Sequence, residues 1–424
     1  MSKLAVNGGT PLRDAKANPW PRWPVWDEKE EKGLLEVLAG GVWSYNGPKE
    51  LEFNRAFAEF TGAEHALSVA NGTVSLQLAL EACGIGLGDE VIVPGLTWQA
   101  TAAAALDVNA VPILVDVNED NWCIDPAAME EAITPRTRAI IPVHLYGGFA
   151  DMDAIMEIAG RHNLRVIEDC AHKHGGEWKG RKVGSIGDAG SFSFQLSKLM
   201  TAGEGGAITT SDSQLYEKLD ALRNCGRRPE IEQCGDKGAG HYGSEGDFIQ
   251  SGNYRITDFQ AAVLIESLKR LPEQNAIRDE NAKYVNSLLS ELPGVTPIRR
   301  DERETMGAYY NFSFRYDKSQ FKGLDVAKFR EAMAGELGCD VEASYEPLDV
   351  CSLYTPHTKP CRHKLSEEHW RQIDPARFSL PVCHRIYREE SVCFHHTILM
   401  GTKADMDLLA KAIEKIYDNA EELL

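Results

Sequence analysis

The chain has 424 residues, 43% of them hydrophobic, and a formal net charge of −19 from 45 basic and 64 acidic side chains. That length buries a large core and predicts a big domain with a smaller one beside it. The acidic balance excludes nucleic acid and anionic membrane surfaces as main partners. The opening Met1-Ser2-Lys3-Leu4-Ala5-Val6 lacks the long apolar core of a signal peptide. No uncharged apolar run reaches membrane-spanning length, so a cytoplasmic protein is expected. Ten cysteines without a Cys-x-x-Cys pair fit a reducing compartment rather than a disulfide framework.

Residues 1–26, rich in Pro and Trp, read as an arm lying across the surface. Asp27-Glu28-Lys29-Glu30 has the form of a capping box and opens a helix that Gly40-Gly41 ends. From about 65 to 210, short apolar runs alternate with helical stretches. Runs at 90–94, 112–116, 139–143 and 165–169 read as buried strands, and Asp125-Pro126 caps a helix reaching Ile133. Such alternation predicts a largely parallel sheet covered on both faces, with ligands beyond the carboxyl ends of its strands. The next stretch starts as a helix and turns into a Gly-rich polar loop around 238–246, a mobile lid or a subunit contact. After Gly294 comes a smaller α/β unit: a strand over 309–316, a helix over 325–336, a strand near 392–394 and a last helix over 403–420. The expected division is therefore an arm (1–26), a large domain (27–293) and a small C-terminal domain (294–424).

Three segments carry chemistry. In the stretch from Gly190 to Gly206 a strand ends, Lys198 follows after a short turn, and Gly203-Glu204-Gly205-Gly206 leads back into Ala207-Ile208-Thr209. A partly desolvated lysine is shifted towards its neutral, nucleophilic form and condenses with carbonyls. Taken alone, Lys198 reads as one more solvated lysine in a turn. Ile167-Glu168-Asp169-Cys170-Ala171-His172 puts a carboxylate at the end of an apolar strand, where it holds a pyridine nitrogen protonated or simply caps a helix. Ala70-Asn71-Gly72-Thr73 opens an apolar helix whose first amides form a phosphate cradle or an ordinary turn. Trp98, just past the 90–94 strand, is placed to stack on a flat cofactor or to fill a core.

In this order, these pieces resemble the sugar and cyclitol aminotransferases of the DegT/StrS type, within the fold-type-I pyridoxal-phosphate (PLP) enzymes. The resemblance rests on Asn71-Gly72-Thr73, Thr97-Trp98-Gln99-Ala100-Thr101, Glu168 to His172, Phe192-Ser193-Phe194 with Lys198, Gly203 to Gly206, and Asn253-Tyr254-Arg255 with Gln260. It runs from Pro24 to the last helix. It implies a PLP cofactor carried on Lys198, Asp169 against the pyridinium nitrogen, and Trp98 stacked on the ring. It also implies His172 near the ring's 3-hydroxyl, and Gly72, Thr73 and Ser193 on the phosphate. Asn253 would reach the phosphate from a neighbouring subunit, which makes a homodimer with shared sites the expected state. The alternative for Asn253 is a loop residue beside the helix that follows Thr257.

Thr201 to Gly206, Ala276 to Asn281 and Phe394-His395-His396 resemble the branch containing glutamine-dependent inosose aminotransferases and aminohydroxybenzoate synthases. The implied reaction moves an amino group from L-glutamine or L-glutamate to a keto-cyclitol or keto-sugar. A nucleotide-linked keto-sugar acceptor, with Arg227, Arg228 or Arg255 serving a phosphate or a donor carboxylate, and a PLP-dependent aromatising reaction stay open as alternatives. His395 and His396 face a substrate or form an edge-strand pair. His357, Cys361 and His363 read as surface residues, and no metal is expected.

Overall fold

The computed structural model describes residues 3–227, 249–358 and 365–424. The expected Gly-rich loop at 238–246, Arg228, Cys361 and His363 lie outside the described residues.

The runs of β-branched residues build a seven-stranded sheet in the spatial order His65–Val69, Gly206–Thr210, Ala189–Ser193, Arg165–Asp169, Thr137–Ile140, Glu90–Pro94, Val111–Val115. Six strands are mutually parallel, and only Gly206–Thr210 runs against both of its neighbours. Val91, Ile92 and Val93 are all fully buried, as expected of a strand covered on both faces. The α/β expectation holds. One strand is shifted: the run expected at 139–143 pairs as Thr137–Ile140. Pro142 has no N–H to donate, so the chain leaves the ladder there, and Val143 keeps only an isolated bridge to Asp169.

Helix starts are where side chains supply the missing acceptors. Asp27 and Glu30 form the capping box of Glu28–Gly40, and Asp125 accepts from the amide of Ala127 at the head of Pro126–Glu131. Thr257 and Gln260 close the capping box of the long Asp258–Leu289 helix. Among the described residues no helix is long and apolar enough to cross a membrane.

A second, three-stranded antiparallel sheet joins Val295–Pro297, Asn311–Tyr316 and Ser391–His395. Its apolar cluster includes Phe312, Phe314 and Phe394 with Ile413 and Ile416 of the Lys403–Asp418 helix. Leu4 is fully buried in the same cluster, and Arg13 pairs with Asp405, so the arm is tied to this unit by burial and by charge. Leu348, Leu380 and Ile386 return to the core of the large sheet.

Candidate active site

Ser193 ends its strand, and the chain then makes a tight turn in which the Lys198 amide donates to the Gln195 carbonyl at 2.9 Å. Phe194 anchors the return: its amide donates to Gly205 O (2.8 Å), and its carbonyl accepts from Thr201 Oγ1 (2.9 Å) and the Ala202 amide (3.2 Å). Lys198 is 9% exposed, with Nζ 4.1 Å from the centroid of the Tyr310 ring. Burial pulls the amine down to about 8, against the opposing pull of the Asp169 charge.

Asp169 lies at the carboxyl end of the neighbouring parallel strand, in register with Ser191. Successive side chains of a strand point to opposite faces. Glu168 therefore turns away from the site, where Oε1 accepts from the amides of Ile186 and Gly187 (2.8 Å each) and Oε2 faces His144 Nε2 at 3.4 Å. His144, Glu168 and Cys170 form the one tight His/Cys/carboxylate group among the described residues, and these bonds occupy its acceptors in a structural network. Asp169 faces the site. Thr101 Oγ1 donates to its Oδ2 (3.0 Å) and the Ala171 amide to its Oδ1 (3.2 Å). Burial raises its carboxyl above the usual range, and these two donors oppose that shift.

The third wall is the start of the Gly72–Ala82 helix. Asn71 Oδ1 accepts from the Val74 amide at 2.9 Å, which leaves the first-turn amides of Gly72 and Thr73 without intrahelical acceptors. A Cβ on residue 72 would stand 2.7 Å from Ser193 Cβ, so only glycine lets the helix start close on that serine.

His172 is buried between aromatic rings, 4.1 Å from Tyr310 and 5.5 Å from Tyr146, both stacked. Its Nε2 lies 3.3 Å from Tyr345 Oη. Burial, then the charge of Lys198, holds the imidazole neutral. Trp98 is 45% exposed at the mouth, tilted against Tyr345 at 5.6 Å.

Gly72, Thr73, Trp98, Asp169, His172, Ser193 and Lys198 thus line one cavity of about 680 Å³. It shares Trp98, Ser197, Tyr310 and Tyr345 with an outer cleft of about 1060 Å³ that reaches Trp23, Glu342 and His395. Asn253 is not among the lining residues; it is exposed, and its Oδ1 accepts from the Arg255 amide at 3.3 Å. Arg255 lies outside both cavities, bonded to Asn224 Oδ1 at 2.5 Å. His395 lines the outer cleft, whereas His396 is fully buried. His357 is exposed, 3.7 Å from Asp374. Reasoning from sequence assigned nothing to Thr101, Tyr310 and Tyr345. Only Thr101 carried a signal, as part of the Thr97-Trp98-Gln99-Ala100-Thr101 motif.

The sequence profile of the DegT/DnrJ/EryC1/StrS aminotransferase family matches residues 24–394. The chain is 43% identical to an L-glutamine:2-deoxy-scyllo-inosose aminotransferase of Streptoalloteichus tenebrarius over 99% of both chains. It is 41% identical to an L-glutamine:scyllo-inosose aminotransferase of Streptomyces griseus over 100% of this chain and 99% of the other. Among solved structures, 3-amino-5-hydroxybenzoic acid synthase superimposes with a TM-score of 0.79 at 34% identity, over 94% of this chain and 99% of that one. An aminotransferase from Psychrobacter cryohalolentis gives 0.80 at 30% identity, over 95% and 100%. This chain belongs to the DegT/DnrJ/EryC1/StrS aminotransferase family.

Proposed function

We propose that this protein is a PLP-dependent aminotransferase that moves an amino group from L-glutamine or L-glutamate to a keto-cyclitol. The observation that carries the reading is one cavity with a buried amine, a buried carboxylate and a helix start on three walls. That donor set fits a phosphorylated pyridine aldehyde. Lys198 supplies the amine for its carbonyl, Asp169 the carboxylate for its ring nitrogen, and Gly72, Thr73 and Ser193 the donors for its phosphate. Trp98 would offer a ring face, and His172 would serve the ring's hydroxyl. Bound PLP supplies an electron sink for charge developing at the donor's α-carbon.

The residues of the chain do the rest. Burial lowers the Lys198 amine to about 8, so a share of it is neutral near that pH; it would hold the cofactor's carbonyl carbon and would carry the proton of the donor α-carbon. Asp169, held by Thr101 and Ala171, would pair with the pyridine nitrogen. Tyr310 and Tyr345 line both cavities and Tyr146 the outer one, which sets an aromatic wall beside the reacting atoms.

A homodimer belongs to the same proposal. Among the described residues Lys198 is the only Lys or Arg lining the inner cavity, so they offer a phosphate dianion no dedicated cation. Asn253 of a second copy would complete the cradle. Leu35 (57% exposed), Leu38 (54%) and Trp43 (50%), on and just after the first long helix, form an apolar face such a copy would cover. A cytoplasmic location is part of the reading.

The acceptor class rests on the relatives, several of which are named for scyllo-inososes. The deciding experiment converts the PLP-charged enzyme to its aminated form with L-glutamine. Scyllo-inosose or a nucleotide-linked 4-keto-sugar is then added while the visible absorbance of the Lys198-bound cofactor is followed. Faster recovery with scyllo-inosose, and a product mass carrying one amine, is expected. Faster recovery with the nucleotide-linked sugar overturns the cyclitol assignment.

A further inference from the structure

We propose that Trp23 and His395 are positioning residues that clamp the turn carrying Lys198 by its two outward-facing carbonyls. The proposal rests on the reading of Lys198 as the cofactor lysine.

A lysine side chain is long and rotates freely, so the part of it that a fold can fix is its backbone. Within the turn, Gln195 Oε1 accepts from the Ser197 amide (2.9 Å) and from Ser197 Oγ (2.7 Å), which sets the local shape. These bonds do not tie the turn to the body of the protein. Leu196, its tip, is 50% exposed. Bonds from remote segments do that instead, and two of them grip backbone carbonyls. Trp23 Nε1–H, from the N-terminal arm, donates to Leu196 O at 2.7 Å. His395 Nε2, at the end of the Ser391–His395 strand, lies 3.2 Å from Ser197 O. The other imidazole nitrogen, Nδ1, lies 3.1 Å from Thr397 Oγ1, whose hydroxyl donates to it and leaves the proton on Nε2.

Both clamps are themselves held. The Trp23 ring stands edge-on against the fully buried His396 at 4.5 Å, and His396 lies 4.1 Å from His395. The His396 amide donates to the Tyr310 carbonyl at 3.1 Å, and Tyr310 Oη meets Ser197 Oγ at 2.9 Å. The ring beneath the Lys198 ammonium and the carbonyls just before it are therefore referred to one strand end and one arm. A nucleophile misplaced by about 1 Å can lose on the order of a hundredfold in rate, which is the loss such a clamp prevents.

The test compares Trp23→Phe, which keeps the ring against His396 and removes only the donor, with His395→Phe, His395→Gln and the Trp23→Phe/His395→Phe pair. Each is charged with PLP. The pH midpoint of the visible absorbance of the Lys198-bound cofactor is titrated alongside kcat and the donor KM. Trp23→Phe and His395→Phe are expected to shift that midpoint and to lower kcat about tenfold with KM within roughly twofold. The double variant should lose more than either single variant but less than the product of the two losses, because both donors hold one turn and share His396. His395→Gln, which can still donate to Ser197 O, should recover most of the loss. An unshifted midpoint with unchanged kcat in both single Phe variants overturns the clamp. A change confined to KM overturns it too, since that marks a substrate contact. Failure of the wild-type protein to take up PLP on Lys198 overturns the underlying reading instead.

Discussion

Thr101 Oγ1 donates to Asp169 Oδ2 at 3.0 Å, across 68 residues of chain and from the first turn of the helix that follows Trp98. The bond favours the charged form and so opposes the upward shift that burial imposes on this carboxyl. With the Ala171 amide on Oδ1, it fixes the orientation of the carboxylate plane.

Asp169→Asn should keep the fold and lower turnover by a factor on the order of a hundred to a thousand, the usual loss for a buried electrostatic partner. Thr101→Val, nearly isosteric, should lower it about tenfold by removing one charge-assisted bond. Steady-state kinetics with circular dichroism check both. Near wild-type turnover in Asp169→Asn, with a stability loss of ~1 kcal/mol, would reduce the residue to a helix cap.

Lys198 should be the residue that carries the cofactor. Borohydride reduction followed by peptide mapping is expected to place the pyridoxyl group there, and Lys198→Ala should lose the visible absorbance and nearly all turnover. Label on another lysine removes the assignment.

Burial sets the amine of Lys198 at about 8. A lowered value means the neutral nucleophile gains as pH rises through that point. Capture of PLP by the cofactor-free protein should therefore accelerate about tenfold per pH unit below it and level off above it. Stopped-flow absorbance across this range reads the midpoint directly. A rate independent of pH contradicts a rate-determining attack by this amine.

Gly72→Ala would push a methyl group to 2.7 Å from Ser193 Cβ and open the cradle. PLP affinity should fall by more than about tenfold, and Ser193→Ala should produce a loss of roughly the same size through one lost bond to phosphate. Equilibrium dialysis of the cofactor-free variants measures both. Inorganic phosphate should compete with PLP in the wild type and less so in either variant.

Shared sites are tested by mixing. Co-expressed Lys198→Ala and Asn253→Ala chains should recover activity at about one quarter of wild-type sites, because half of random dimers are mixed and each has one intact site. No recovery above the Asn253→Ala level removes Asn253 from the partner's cradle.

The order of strands and helices was legible because each element is recorded in its own residues. Apolar runs of strand length, Asp27 and Asp125 at helix starts, and Gly-rich returns are all local signals. Lys198, Asp169 and Gly72 were legible for a related reason: each stands where a strand ends, and in a parallel sheet those ends converge on one rim. Pairing is not local. The sequence 165–169 ends in two carboxylates, and only the pleat decides that Glu168 turns to the amides of Ile186 and Gly187 while Asp169 turns to the cavity. Tyr310 and Tyr345 come from beyond residue 294, Trp23 from the arm and His395 from near the chain's end. None has a motif at the range over which sequence periodicity acts. Their places depend on how the second sheet and the arm pack against the first, and that packing brings residues 198 positions apart within 3.2 Å.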